Sequence, residues 1–218
     1  MSLLQYQPPL SPYLDIVYQD DDILVLNKPS GLLSVPGKAP EHKDCLEYRA
    51  KLVFPTARIV HRLDMATSGV MVLALHADAQ RQLNRQFQLR QTQKSYVARV
   101  TGWVEADSGT IDLPLICDWP NRPKQMVCFV RGKASVTHFQ VLARDGDTSR
   151  LLLTPVTGRS HQLRVHMQML GHAILGDKFY AAVVDYHAAD RLQLHAETLL
   201  LQHPTSGDSV IFSVKCPF

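Results

Sequence analysis

The sequence contains few cysteines, and their spacing excludes two common frameworks. There are four cysteines in 218 residues, Cys45, Cys117, Cys128 and Cys216, and no two of them form a CxxC pair. This pattern argues against a disulfide scaffold and against a cysteine zinc site. Ten histidines are present, but neither an HExxH motif nor a compact run of histidines and acids accompanies them. We therefore expect reduced cysteines and no metal site.

Long apolar runs and nucleotide-binding motifs are also missing. No run approaches the roughly 20 residues that span a bilayer, and the start, "MSLLQYQPPLSPY", lacks the basic region and apolar stretch of a signal peptide. The sequence has no GxGxxG, GxxxxGK[ST] or GxSxG motif. A hydrophobic content of 45% is enough for an ordinary packed core. We expect a cytoplasmic globular protein that contacts no membrane and uses no cofactor.

Acidic residues are absent from three long stretches: 79–104, 119–144 and 148–176. Residues 1–50 hold 4 basic and 7 acidic residues, whereas the remainder holds 19 basic and 13 acidic ones. Stretches of this kind fit a polyanion such as nucleic acid, because binding draws on phosphate neutralisation. A solvated basic face explains them equally well, so charge alone leaves both interpretations open.

Hydrophobic patterning predicts mostly strands with a few helices. Apolar runs predict buried strands at 23–26 and 69–75, and an Asp145-Gly146 turn joins two further strand candidates into a hairpin. Other strands are expected at 94–102 and 110–115 and in a closing pair near the C-terminus. Helices are expected at 43–53, 78–91 and 160–170, the last with Ser160 as its N-cap.

Strands that follow one another directly, with few helices between them, imply an α+β fold. We predict a mixed, mostly antiparallel sheet with a few flanking helices. The sequence shows no regular strand-helix alternation, no long repeat and no low-complexity linker. The expected organisation is an N-terminal segment, 1–20, followed by one domain, 21–218.

The stretch "RIVHRLDMATSGV" (58–70) places a carboxylate, Asp64, close to His61 and Arg62. Aspartates at such boundaries are usually turn formers, because their side chains bond nearby backbone amides. Local pattern alone therefore favours a turn residue over a reactive carboxylate.

Three ordered motifs change that balance. "HRLDMATSGVMVLAL" (61–75), "KSYVARV" (94–100) and "GRSHQLRVHM" (158–167) resemble the three motifs of the RluA family of RNA pseudouridine synthases. "NKPSGLLSVPG" (27–37) and "LGDKFY" (175–180) are supporting matches. The resemblance runs from about Tyr18 to the C-terminal strands. It implies the pseudouridine synthase catalytic fold, and the short stretch before the first predicted strand leaves no room for an S4 domain.

The resemblance implies that Asp64 is the catalytic aspartate, which attacks or deprotonates the ribose of a target uridine. Arg164 would be its salt-bridging partner, and Tyr96 would pack against the uracil. Arg62 would fill the space left when the uridine leaves the stack, although a phosphate contact is its alternative role. Leu163 would provide an apolar wall beneath the ring, unless it serves only helix packing.

Two further residues belong to the first motif. His61 is placed with the substrate-binding residues, and ordering the loop by a hydrogen bond is its alternative role. Gly69 is expected to give flexibility to the loop that presents Asp64.

Within the family, the likeness is closest to members that act on both tRNA and 23S rRNA. It rests on the chain length, on "PLICDWPNRPKQ" (114–125) and on the missing S4 domain. The implied substrates are uridines in tRNA anticodon stem-loops and in a 23S rRNA hairpin. We expect RNA rather than DNA as the partner, and a monomer. Two other hypotheses are an RNA-binding module without catalysis and a hydrolase that uses Asp64 on another glycosidic bond.

Overall fold

The computed structural model describes residues 6–218 and divides the chain into two compact units. One unit runs to Gln93 and includes Ala196–Pro217; the other comprises Lys94–His195 with Phe218. The strands are β1 (Ile16–Gln19), β2 (Ile23–Lys28), β3 (Arg58–Ile59), β4 (Ser68–Ala74), β5 (Gln93–Thr101), β6 (Ser108–Asp112), β7 (Leu115–Cys117), β8 (Gln125–Val127), β9 (Val136–Asp145), β10 (Thr148–Pro155), β11 (Leu194–Gln202) and β12 (Ser209–Ser213). The helices are α1 (Leu46–Val53), α2 (Ala77–Gln88), α3 (Gln162–Met169) and α4 (Val183–His187).

The first unit is built on β2 and β4, which are buried almost throughout. They pair antiparallel from Ile23 opposite Ala74 to Lys28 opposite Gly69. β1 borders β2, β11 follows β4 in the strand order, and β12 pairs with β11. Each fully buried aliphatic side chain on these strands contributes about 1.5–3 kcal/mol relative to an exposed one. The two apolar runs therefore supply the core of this unit.

The second unit carries the strand order β5-β10-β9-β6, with β7 and β8 as a separate two-stranded sheet. β9 and β10 form the predicted hairpin, and Gly146 adopts a left-handed conformation in its turn. Leu115 and Val127 of the small sheet pack against Val165 of α3. Antiparallel pairs with few helices in both units confirm the predicted α+β class. Among residues 6–218, no helix combines the length and hydropathy needed to cross a bilayer.

One strand was not predicted, and two local expectations were wrong. β1 lies inside the predicted N-terminal segment; it is an exposed strand paired only along one edge, so no apolar alternation marks it. Ser160 is not the N-cap of α3, because His161 holds that position in a left-handed conformation. Gly69 lies within β4 rather than in a flexible loop. The predicted division into residues 1–20 and 21–218 stays a prediction.

Gly69 is required by close packing. Its φ is +117°, and a Cβ built there would lie 2.1 Å from the carbonyl oxygen of Ala196. A side chain would thus collide with backbone in an unfavourable conformation. The motif glycine lets another segment of the first unit approach the strand that follows Asp64.

Candidate active site

Asp64 lies half-buried in the loop between β3 and β4 of the first unit. Its carbonyl oxygen accepts a hydrogen bond from the backbone N–H of Thr67 at 3.1 Å, which closes a tight turn. The turn uses the backbone of Asp64. The turn interpretation and the reactive-carboxylate interpretation are therefore compatible.

A buried hydroxyl fixes the residue just before Asp64. Ser34 Oγ donates to the carbonyl oxygen of Leu63 at 2.7 Å and accepts from the Leu63 N–H at 3.1 Å. Both Ser34 and Leu63 are buried, so water does not replace these bonds. One side chain from the NKPSGLLSVPG segment (27–37) thus satisfies both backbone groups of Leu63.

A second set of contacts fixes the residues just after Asp64. The fully buried Lys28 ammonium donates to the carbonyl oxygens of Pro29, Leu32 and Met65 at 2.9, 2.7 and 3.0 Å. The Met65 carbonyl also accepts from the Gly31 N–H at 2.9 Å. Ser30 Oγ donates to the next carbonyl in the loop, that of residue 66, at 2.7 Å. The backbone is held on both sides of Asp64, and we call the segment 28–34 the loop clamp.

His61 has a structural contact in the same unit. Its Nε2 accepts a hydrogen bond from the backbone N–H of Val72 at 3.1 Å, and its ring stacks on Phe87 with a centroid distance of 4.6 Å. The imidazole therefore ties the loop to β4 and α2. A substrate contact through this ring stays a prediction.

Arg62 is exposed beside Asp64. Within residues 6–218, no carboxylate lies within ion-pair distance of its guanidinium. An exposed cation without an acidic partner fits either role that the sequence predicts, filling a vacated base position or binding a phosphate.

Tyr96, Leu163 and Arg164 belong to the second unit. Tyr96 lies half-buried on β5, opposite Leu153 of β10. Leu163 and Arg164 are adjacent, buried residues in the first turn of α3. Burial lowers the pKa of Lys94, the lysine of the predicted second motif. Each unit therefore holds part of the predicted set: His61, Arg62 and Asp64 in the first, and Tyr96, Leu163 and Arg164 in the second.

Arg164 has a partner that the sequence did not assign. Its Nε and Nη2 donate to the two carboxylate oxygens of Asp177, both at 2.7 Å. The backbone amides of Phe179 and Tyr180 also donate to Asp177 Oδ1, at 2.9 and 3.2 Å. Both partners of this bidentate pair are buried, which fixes the plane of the guanidinium. The supporting motif LGDKFY thus orients Arg164.

The start of α3 is organised by Gln162. Its side-chain oxygen accepts from Thr157 Oγ1 at 2.7 Å and from the Arg159 N–H at 3.0 Å. Its Nε2 donates to the carbonyl oxygen of Val136 at 3.0 Å. These hydrogen bonds of the Gln162 side chain take the place of the capping that we expected from Ser160, and they anchor the turn that precedes Arg164.

The first unit contains a cluster of histidine and acidic side chains that no sequence motif predicted. Asp20, Asp22 and His203 offer ligand atoms within 4.8 Å of one another. The Ser206 N–H donates to His203 Nδ1 at 3.2 Å, so His203 Nε2 carries the proton and donates to Asp20 at 3.0 Å. His76 repeats this arrangement, accepting at Nδ1 from the backbone and contacting Asp22 through Nε2 at 2.7 Å. This is a hydrogen-bonded tie, and the expectation of no metal site stays a prediction.

The two carboxylates of this tie have lowered pKa values. Burial alone would raise the pKa of Asp20, but hydrogen bonds from the backbone amides of Ile23 and Asp22 hold it below its usual range. Hydrogen bonds from Thr205 and His76 lower the pKa of Asp22. Both groups therefore favour their charged forms in the folded state.

Comparison with known proteins gives consistent results. The family profile described as RNA pseudouridylate synthase matches residues 22–169. The dual-specificity RNA pseudouridine synthase RluA of Salmonella typhimurium is 55% identical over the full length of both chains. Its Yersinia pestis counterpart is 57% identical over 93% of this chain and 99% of its own.

Two solved human structures share the fold. Human RNA pseudouridylate synthase domain containing 1 has a TM-score of 0.81 and 32% identity, covering 97% of this chain and 87% of its own. Human RNA pseudouridylate synthase domain containing 4 has a TM-score of 0.75 and 28% identity, covering 95% and 91%.

Proposed function

Because this chain belongs to the RNA pseudouridylate synthase family and is an RNA pseudouridine synthase, we propose that Asp64 is the carboxylate that acts on the target uridine. The observation that carries this proposal is the loop clamp, which holds the backbone on both sides of Asp64 through buried hydrogen bonds. A side chain that starts a chemical step must be held in a narrow range of positions. The hypothesis of a binding module without catalysis is set aside by the family assignment.

The reaction breaks and remakes a bond within one nucleotide. Asp64 attacks the ribose or removes a proton from it, the bond between the uracil nitrogen and the sugar breaks, and the base turns. The base then bonds to the sugar through carbon, that carbon loses its proton, and the freed nitrogen gains one. No electron is transferred and no group is donated from outside, so this isomerisation balances without an oxidant, a reductant or a cofactor.

Arg164 has the role of an electrostatic partner in this proposal. A guanidinium close to a carboxylate favours the ionised form that the reaction needs. Asp177 engages the Nε and Nη2 donors of Arg164 and so orients the guanidinium, while the pairing of Arg164 with Asp64 is the one that the sequence resemblance implies. Asp177 is then a positioning residue, since it acts on the reaction through Arg164.

The remaining predicted residues handle the base. Tyr96 packs against the uracil and helps to remove the proton from the carbon that becomes the new attachment point. Leu163 forms an apolar wall beneath the ring. Arg62 fills the position that the uridine leaves, since a base within folded RNA must be extruded to reach an enzyme's pocket.

The proposed substrates are two classes of RNA. The relatives at 55–57% identity carry the name dual-specificity synthase, which supports a second substrate class for this chain as well. We assign uridines in tRNA anticodon stem-loops and in a 23S rRNA hairpin, modified by a cytoplasmic monomer.

The test is site-resolved mapping of pseudouridine in unmodified tRNA and 23S rRNA transcripts. The purified protein, in chelator and without added nucleotide, is expected to modify both. Product in only one RNA class would contradict dual specificity. Absence of product in both would contradict the proposed function.

A further inference from the structure

The hairpin segment, residues 115–133 of the second unit, is firmly anchored on one side. β7 and β8 pair antiparallel, with Leu115 opposite Val127 and Ile116 opposite Met126. Leu115 and Val127 pack with Val165 and Tyr180, and the backbone N–H of Gln125 donates to the Tyr180 hydroxyl at 2.8 Å. The segment is therefore a fixed surface.

The hairpin segment also carries large apolar side chains that are exposed to solvent. Trp119, in the loop between β7 and β8, is 65% exposed, and Phe129, just after β8, is 77% exposed. Met126 and Val130 are exposed as well. Four exposed apolar side chains within twelve residues of one anchored segment indicate an interaction site rather than ordinary surface composition.

The charges around these side chains have one sign. Four cations, Arg122, Lys124, Arg131 and Lys133, lie in a stretch without any acid from 119 to 144. Within residues 6–218, none of the four is ion-paired with a carboxylate. The nearest preceding acid, Asp118, accepts a hydrogen bond from Asn121 Nδ2 at 2.9 Å. The segment is thus built for an anionic partner.

Trp119 shows how such a partner would bind. The Arg122 guanidinium lies over the indole at 4.6 Å from the ring centroid. With one ring face covered, the high exposure of Trp119 means that its other face meets solvent. Aromatic faces combined with cations that follow a backbone are the features that bind unpaired nucleotides. The choice of nucleic acid over a protein partner rests on the four cations in an acid-free stretch, because exposed aromatic residues and arginines also occur in protein interfaces.

We propose that the hairpin segment is a stacking platform for unpaired nucleotides of the RNA, with Trp119 and Phe129 contacting bases and the four cations contacting phosphates. The proposal rests on the proposed function for the identity of the RNA. It assigns substrate recognition to residues outside the three motifs.

The chain offers a direct reporter, because Trp103 and Trp119 are its two tryptophans. In Trp103→Phe, the remaining indole is Trp119, and its fluorescence is expected to fall on addition of an unmodified anticodon stem-loop. In Trp119→Phe, the remaining indole is Trp103, and little change is expected. Quenching in both variants alike, or in neither, would overturn the proposal.

Trp103 also provides a matched control for affinity. It is 58% exposed and lies under Arg144 at 5.5 Å, but Arg144 is ion-paired with Asp107. Trp119→Ala is expected to weaken stem-loop binding about 5- to 150-fold, the range for loss of one base stack. Trp103→Ala is expected to bind like the wild type. Equal losses in the two variants would contradict the assignment.

Three further measurements separate base stacking from duplex binding, from charge and from self-association. Trp119→Ala should not weaken binding to a fully paired duplex of the same length; an equal loss there would exclude stacking on unpaired bases. Lys124→Ala should reduce the slope of log affinity against log salt by about 0.7, whereas Trp119→Ala should leave the slope unchanged. A wild-type dimer that Trp119→Ala dissociates in sedimentation without RNA would identify a protein interface and overturn the proposal.

All these measurements are made in an Asp64→Asn background as well as in the wild type. If Asp64→Asn remains active while Trp119 quenching persists, the assignment of Asp64 fails and the stacking platform stands. If pseudouridine forms normally and Trp119→Ala changes neither the affinity nor the KM for stem-loop RNA, the platform fails alone.

Discussion

Replacing Ser34 by alanine tests whether the loop clamp positions Asp64. The substitution removes only a hydroxyl, which holds both backbone groups of the buried Leu63. Two neutral hydrogen bonds contribute about 0.5–1.5 kcal/mol each, so we expect the free energy of unfolding to fall by about 1–3 kcal/mol. A displacement of about 1 Å at a reacting group can cost about 100-fold in rate, so kcat should fall by about tenfold or more while KM changes little.

The chain provides a matched control in Ser149. This serine is also fully buried; its Oγ donates to the carbonyl oxygen of Gly102 at 2.9 Å and accepts from the Val104 N–H at 3.0 Å. Ser149→Ala should lose a similar free energy of unfolding in urea titrations but keep its kcat. If both variants lose the same stability and neither loses kcat, the loop clamp does not position Asp64 and this reasoning is refuted.

Three other predictions concern pH, thiol reactivity and packing. Because the folded pKa of Asp22 is lowered, its charge stabilises the fold above about pH 4, and this contribution is lost as pH falls through the folded pKa. In urea titrations, the free energy of unfolding of Asp22→Asn should therefore be lower than that of the wild type at pH 7, and the difference should shrink at pH 3. A difference that stays constant between the two pH values would contradict this prediction. The backbone amides of Arg131 and Val130 lower the pKa of the Cys128 thiol, whereas burial raises the pKa of Cys45. Iodoacetamide at neutral pH should therefore modify Cys128 before Cys45, as followed by mass spectrometry. Modification of Cys45 before Cys128 would contradict this prediction. Gly69→Ala should prevent stable folding, because its Cβ would lie 2.1 Å from backbone. Gly146→Ala, whose Cβ would meet nothing within 4 Å, should lose only about 1 kcal/mol of the free energy of unfolding in thermal unfolding. Equal losses in the two variants would contradict this prediction.

The elements that the sequence predicted are those whose own residues carry the signal. β2 and β4 are short apolar runs that are buried along their length, so burial and pattern agree. α2 shows the 3.6-residue period because one stripe, including Leu83, is buried. In contrast, β1 pairs through backbone groups while its side chains are exposed, and nothing in its composition requires that pairing.

The proposed reactive carboxylate was predictable from the sequence, whereas the residues that hold its loop were not. Asp64 was predicted from ordered motifs, whereas the contacts that hold the residues beside it are formed between segments far apart in the chain. Ser34 and Leu63 are separated by 29 residues, and Lys28 and Met65 by 37. The partner of Arg164 was missed because Asp177 lies in a separate motif whose contact depends on tertiary structure. Hydrogen bonds of this kind have no local period, so no sequence pattern predicts them.

The most direct test of the account is the conversion of bound uridine under single-turnover conditions by the Asp64→Asn variant. Asp21→Asn, which changes an exposed aspartate in the β1–β2 turn, serves as the matched control. We predict that Asp64→Asn binds the anticodon stem-loop and unfolds in urea like the wild type but forms no pseudouridine above background, while Asp21→Asn remains fully active. Pseudouridine formation by Asp64→Asn at the wild-type rate would contradict the assignment of Asp64 as the reactive carboxylate.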